Sequence, residues 1–245
     1  MDDPKLPQYL NGVINDLEVY YRKLDKQIVE RVRLTLLQEK MPPETSCSTC
    51  TKAGCCRLSI FEPLYAGFPV ARHLRVTGKD TPELRERLRT LGERMEAAGR
   101  DAWFEENEAC AFLRDERCTI YQWRPIACRK YYVSSPAELC NPPPNPDQMI
   151  CSIDMGIITA SSMFTSGQFG ELLALKQNRM RMYIGTFPRI VYISLLMLEY
   201  IAEGGRDLAT WLRQFPWPTE DNGNDWLVEG KNPFRDKLHG PQPSV

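Results

Sequence analysis

The sequence predicts a mainly α protein, with helical flanks packed around a loop-rich cysteine core. Three observations carry this. Apolar residues recur every three or four positions towards both ends; prolines and glycines break up the middle; and eight of the nine cysteines crowd into that middle. They form two groups, Cys47, Cys50, Cys55, Cys56 and then Cys110, Cys118, Cys128, Cys140, in a chain with only two histidines.

The first element is a long amphipathic helix within residues 1–43. Leu10, Ile14, Leu17, Tyr21, Leu24, Ile28, Val32 and Leu36 make one stripe, and Pro42 and Pro43 end it. The stripe drifts from a strict heptad after Ile28, so packing on its own protein is favoured over a coiled-coil seam. From Leu58 to Val70, Pro63, Gly67 and Pro69 predict loops and short turns. Thr81-Pro82-Glu83 is a helix start, with Thr81 as N-cap and Pro82 at the first helical position. Leu84, Leu88, Leu91 and Met95 continue that helix, and Gly99 is expected to stop it.

The cysteine-cluster domain, 44–151, includes a second group whose pieces are too short for long helices, and a stiff run from Asn141 to Pro146. Helical pattern resumes over 152–215. Leu172, Leu173, Leu175, Met180, Met182 and Tyr183 fit one helix, and Ile190, Ile193, Leu196, Met197 and Ile201 another. Gly204-Gly205 sets off a short helix around Leu208 to Phe215, and 216–245 reads as an irregular, proline-rich tail.

Bulk properties exclude several classes. Net charge is −1, from 31 basic and 32 acidic residues, so no global field attracts nucleic acid or an anionic membrane. The most apolar stretch, Ile190 to Ile201, is interrupted by Glu199 and is shorter than the roughly 20 residues a membrane helix needs. The start, Met1-Asp2-Asp3-Pro4-Lys5, has no secretory pattern, so a cytoplasmic protein is expected.

Clustered cysteines allow a disulfide framework, a metal or iron-sulfur site, or redox-active thiols. In a reducing compartment, and in a chain long enough to bury its own core, metal is favoured. Cys47-Ser-Thr-Cys50 has the two-residue spacer with which two thiolates grip one ion. Cys55 and Cys56 are adjacent and point to opposite faces if extended. The second group is too widely spaced for a compact finger, so its ligands must converge with the first group in space. Cys151 is read as a spare buried thiol. Arg57, Arg117, Arg124, Arg129 and Lys130 are candidates to offset thiolate charge. His73 and His239 carry no pattern of a ligand or base. Glu105, Glu106 and Glu108 read as a solvated face, and Tyr121, Tyr131 and Tyr132 as packing around the site.

The segments Cys110-Ala-Phe-Leu, Cys118-Thr-Ile-Tyr121, Arg124-Pro125-Ile-Ala-Cys128-Arg129 and Glu138-Leu-Cys140, with Cys55-Cys56, resemble the YkgJ-like cysteine-cluster family. Where that family's common opening has two residues before the Cys-Cys pair, this chain has four, Thr51 to Gly54, and more than fifty residues then precede Cys110. The resemblance implies eight ligands, Cys47, Cys50, Cys55, Cys56, Cys110, Cys118, Cys128 and Cys140, chelating zinc or iron, the iron-sulfur cluster included. Sulfur ligation does not separate the two metals.

Two functions are expected to compete. One is an accessory or structural metal-binding protein whose helical flanks hold a protein partner. The other is a metal- or cluster-dependent enzyme or electron-transfer protein, since the cysteine pattern is similar to that of flagellin lysine-N-methylases. No glycine-rich nucleotide fingerprint accompanies it.

Overall fold

The computed structural model describes residues 1–38, 40, 54–106, 108–130, 133 and 183–215. Cys47, Cys50, Cys140, Cys151, Pro42, Pro43, Tyr131, Tyr132, His239, the Asn141–Pro146 run, the 172–182 part of an expected helix and the tail lie outside them. Among the described residues the protein is mainly α, with only short strands.

Helix α1 spans Gln8–Gln38, and its buried residues include all eight members of the apolar stripe. The N-terminal residues fold back to fix its start. Asp3 and Asn11 exchange hydrogen bonds at 3.0 and 2.9 Å, and buried Arg72 donates to the Asn11 carbonyl at 3.1 Å and to Asn15 and Glu18 at 2.7 Å each. These contacts tie α1 to α2, Phe68–Val76. That helix begins where the sequence predicts only turns, because Pro69 sits in the first turn, where no amide donor is required. Before it lies strand β1, Phe61–Pro63.

Helix α3 runs Pro82–Glu106, and the Thr81 hydroxyl accepts the Leu84 N–H at 3.2 Å as the N-cap expected. Gly99 does not stop it. A mid-helix glycine costs only about 1 kcal/mol against alanine, and the added turns bury Trp103 almost completely. Two short strands follow, β2 at Leu113–Arg114 and β3 at Arg117–Cys118, then the five-residue helix α4, Ile126–Lys130. This segment is as fragmented as the sequence implies.

The second half is not helical throughout. Strand β4, Ile184–Thr186, pairs antiparallel with β1, Phe61 opposite Thr186. Tyr183 is drawn out of the expected helix, since its carbonyl accepts the Leu64 N–H at 2.8 Å. Helix α5, Phe187–Ala202, then buries Ile190, Ile193, Met197 and Ile201 of the expected apolar face, with Leu196 only half-buried, and α6, Leu208–Leu212, follows Gly204, whose φ of 92° ends α5 in a conformation side chains resist. Helices α3 and α5 pack tightly. A Cβ on Gly92 would stand 2.6 Å from Arg189 Cβ, and Thr186 Oγ1 donates to the Gly92 carbonyl at 3.1 Å. Arg189 pairs with Glu96, and Arg85 links Asp80 at 2.7 Å to Glu199 at 2.8 Å.

Candidate metal centre

Five of the eight expected ligands are described, and all five are free thiols. Cys55 and Cys56 lie on a 3-10 turn, Gly54–Arg57, that leads into β1. Cys110 follows the end of α3. The two cysteine groups meet through the backbone, the Cys110 N–H donating to the Cys56 carbonyl at 2.7 Å. The convergence that the wide spacing demands is thus present for these members.

A tight hairpin carries the chain from Cys110 to Cys118. Leu113 N–H donates to the Cys110 carbonyl at 3.0 Å, and Leu113 stands opposite Cys118 in the β2–β3 pair. Asp115 and Glu116 make the reversal with φ of 49° and 58°, the left-handed pair that a two-residue hairpin turn of matching twist requires. Asp115 suits the first of these positions, whereas Glu116 stands where glycine is preferred, so the turn is held there against local preference. Thr119 closes the hairpin with N–H and hydroxyl donors to the Phe112 carbonyl, at 2.9 and 3.0 Å.

Cys128 rides on α4. Its helix is seated by a buried carboxylate, Glu62 of β1, which accepts the Ala127 N–H at 2.7 Å. Arg129 is fully buried and fastens the same helix from behind. It donates to the Arg124 carbonyl at 2.8 Å, to the Gln122 carbonyl and to Asp25 of α1, and stacks over the Tyr21 ring at 4.5 Å. Arg124 reaches Asp25 at 3.5 Å and lies 3.6 Å above the Tyr121 ring. The Arg-Pro-x-x-Cys-Arg sequence is therefore a clamp: Pro125 precedes the helix, and its two arginines bind the loop and α1.

Cys56, Cys110, Cys118 and Cys128 share the lining of one cavity of about 40 Å³ with Leu91, Met95 and Trp103 of α3, Phe187 of α5, and the charged Glu108 and Arg124. Burial pushes the thiols of Cys110, Cys118 and Cys128 up, Cys110 to about 11. The Phe112 and Ile120 amides beside the Cys110 and Cys118 sulfurs pull the other way. The same relation occurs twice: in Cys-Ala-Phe and Cys-Thr-Ile, a buried apolar residue two places on brings its N–H to sulfur. Cys55 differs. The Cys56 S–H donates to its sulfur, which brings Cys55 down to about 7 and raises Cys56.

Among the described residues, no three cysteine, histidine, aspartate or glutamate side chains are arranged to hold an ion. The donor set nonetheless suits a soft metal: free thiols around one cavity, with amide donors at two sulfurs and the Arg124 charge acting on Cys55 and Cys118. Binding would require the raised thiols to release their protons, so affinity would rise with pH.

Of the five basic candidates, Arg124 and Arg129 are buried beside the site, whereas Arg117 is exposed. His73 stacks on Trp123, ring centroids 3.6 Å apart, and Glu106 and Glu108 pair with Arg94 at 2.5 Å each. Sequence reading missed Asp25, Glu62 and Trp103. The repeated Cys-x-apolar pattern is the one sequence signal that points to the amides of Phe112 and Ile120.

Among the described residues, no helix is long and apolar enough to cross a membrane. Residues 46–146 match the family model described as "CxxCxxCC: Putative zinc- or iron-chelating domain". No curated protein and no solved structure matches the chain. The matched segment encloses both cysteine groups, and the cysteine domain of this chain is similar to that zinc- or iron-chelating family.

Proposed function

We propose that this protein chelates zinc or iron in one composite centre, drawing its thiolates from Cys47, Cys50, Cys55, Cys56, Cys110, Cys118, Cys128 and Cys140, and serves an accessory or structural role. The observation that carries the reading is the 2.7 Å hydrogen bond from Cys110 N–H to the Cys56 carbonyl, beside a cavity with four sulfurs in its wall. Two segments separated by more than fifty residues are joined at their cysteines, which a merely structural set of buried thiols does not require. When bound, the metal supplies a covalent tie between segments that otherwise share little regular structure. The protein's part is to hold sulfur in place: the hairpin sets Cys118 against Cys110, and Glu62 and Arg129 seat Cys128.

Eight thiolates suffice for two four-cysteine zinc sites or for an iron-sulfur cluster with ligands to spare. Each structural zinc site would contribute about 10–16 kcal/mol of apparent binding energy, as in small zinc peptides. The helical flanks would present the centre to a protein partner.

Protein purified without oxygen decides between metals. Brown colour with visible charge-transfer absorption identifies iron-sulfur, whereas a colourless protein containing zinc by elemental analysis identifies zinc. Cys55→Ser and Cys128→Ser are expected to lose most of the bound metal, and Cys151→Ser to keep it. A folded, colourless preparation that contains no metal and takes up neither zinc nor iron overturns the reading.

A further inference from the structure

Trp103 lies outside the cysteine motif but faces the same space. It is 1 % exposed, lines the cavity with Cys56, Cys110, Cys118 and Cys128, and its indole N–H has no hydrogen-bond partner among the described residues. A buried donor without an acceptor costs about 1–3 kcal/mol, and tryptophan is the least economical apolar filler for a place that offers its N–H nothing. Packing alone would be served by phenylalanine. The ring is also held in place: Arg94 lies 5.8 Å over it and pairs with Glu106 at the end of α3 and with Glu108 just beyond it.

The side-chain acceptors that share the cavity with Trp103 are the four sulfurs and the Glu108 carboxylate, and Glu108 is paired with Arg94. A neutral thiol is a weak acceptor, whereas a metal-bound thiolate carries negative charge and accepts strongly. Apart from the cysteines, Glu108 and Arg124, the residues of the wall are apolar, so few groups there could hold a bridging water in the two to four hydrogen bonds it needs.

We propose that Trp103 is a positioning residue of the metal centre, its indole Nε1–H donating a hydrogen bond to a thiolate sulfur of the cavity when metal is bound. The inference rests on the metal-binding reading above. No bond to carbon or sulfur breaks; each ligand thiol gives its proton to solvent as metal binds, and the indole keeps its own. The hydrogen bond lowers the charge on one sulfur and fixes its direction, which is how an outer partner tunes a metal site.

The test is a titration of anaerobic, ¹⁵N-labelled full-length protein with zinc, following the indole cross-peaks of its five tryptophans. Trp103→Phe identifies one peak by its loss; if that variant does not fold, Phe replacements of Trp123, Trp211, Trp217 and Trp226 identify it by elimination. The Trp103 proton is expected to move downfield and exchange more slowly with solvent as zinc binds stoichiometrically. Folded Trp103→Phe should bind zinc roughly 10- to 100-fold more weakly in chelator competition. Its cobalt(II) form, or its iron form if iron is the resident metal, should show a shifted sulfur-to-metal absorption band. Metal uptake with an unmoved Trp103 peak and an unshifted band overturns this inference and leaves the metal reading intact. Failure to take up either zinc or iron overturns both.

Discussion

At the scale of single residues, the cysteines are not equivalent. Cys55 and Cys56 share a proton, so one is activated at the expense of the other. Cys55 is also exposed, while Cys56, Cys110, Cys118 and Cys128 are half-buried. In the metal-free protein, alkylation mapped by mass spectrometry should therefore strike Cys55 first among these five. Its rate should rise as pH increases through about 7, because deprotonation makes the nucleophile. Cys56→Ala removes the donor and should move that midpoint upward, towards the ordinary thiol range. A wild-type midpoint already there would sink the shared-proton account. Arg129 is the other unequal residue. An arginine beside a cysteine reads as a counter-charge in sequence, yet this one is spent on backbone carbonyls, Asp25 and the Tyr21 face, and so acts on Cys128 through the helix it anchors.

At the scale of elements, close approach of α3 and α5 sets one wall of the cavity, since Leu91, Met95 and Trp103 come from the first helix and Phe187 and Pro188 from the second. The approach depends on Gly92. An added methyl would meet the backbone nitrogen of Arg189 at 2.8 Å as well as its Cβ, and backbone cannot swing aside as a side-chain tip can. Gly92→Ala should destabilise the protein by about 1–3 kcal/mol, measured by urea unfolding, despite alanine's better helix propensity. Unchanged or greater stability would mean that the helices stand further apart than described. Gly12, with nothing within 4 Å of an added Cβ, is the control, where alanine should stabilise slightly.

At the scale of the whole molecule, the centre joins parts distant in sequence: the turn before β1, the exit from α3, the β2–β3 hairpin and α4, with α1 braced behind through Asp25. A ligand that binds only this assembled state stabilises it by mass action, about 4 kcal/mol at a thousandfold excess over its Kd. Thermal unfolding of the metal-loaded protein should therefore begin at higher temperature than after chelator treatment, with the difference growing as free zinc or iron is raised. An identical transition with and without stoichiometrically bound metal would show that metal does not tie these segments together.

Much of the helical frame was legible. The eight-residue stripe of α1 is buried as the three- and four-residue spacing requires, and Thr81-Pro82 starts α3 where capping chemistry places it. Such signals are local, and each residue's neighbours along the chain suffice to define them. Gly99 misled because propensity is a small term beside the burial of Trp103 four residues later. The short helix α2 and strand β4 escaped because their partners are remote: Arg72 finds α1, and Ile184–Thr186 finds β1.

The sequence by itself determined the helical class, the ends of several helices, the cysteine inventory and the match of residues 46–146 to a zinc- or iron-chelating family model, because periodicity, caps and motif spacing are written in neighbouring residues. Only the tertiary structure decided that Cys110 bonds to Cys56, that Glu62 seats the helix of Cys128, and that the Trp103 indole shares a cavity with four sulfurs. Those relations join residues tens of positions apart, and their energies depend on burial and direction, which exist only once the chain has folded.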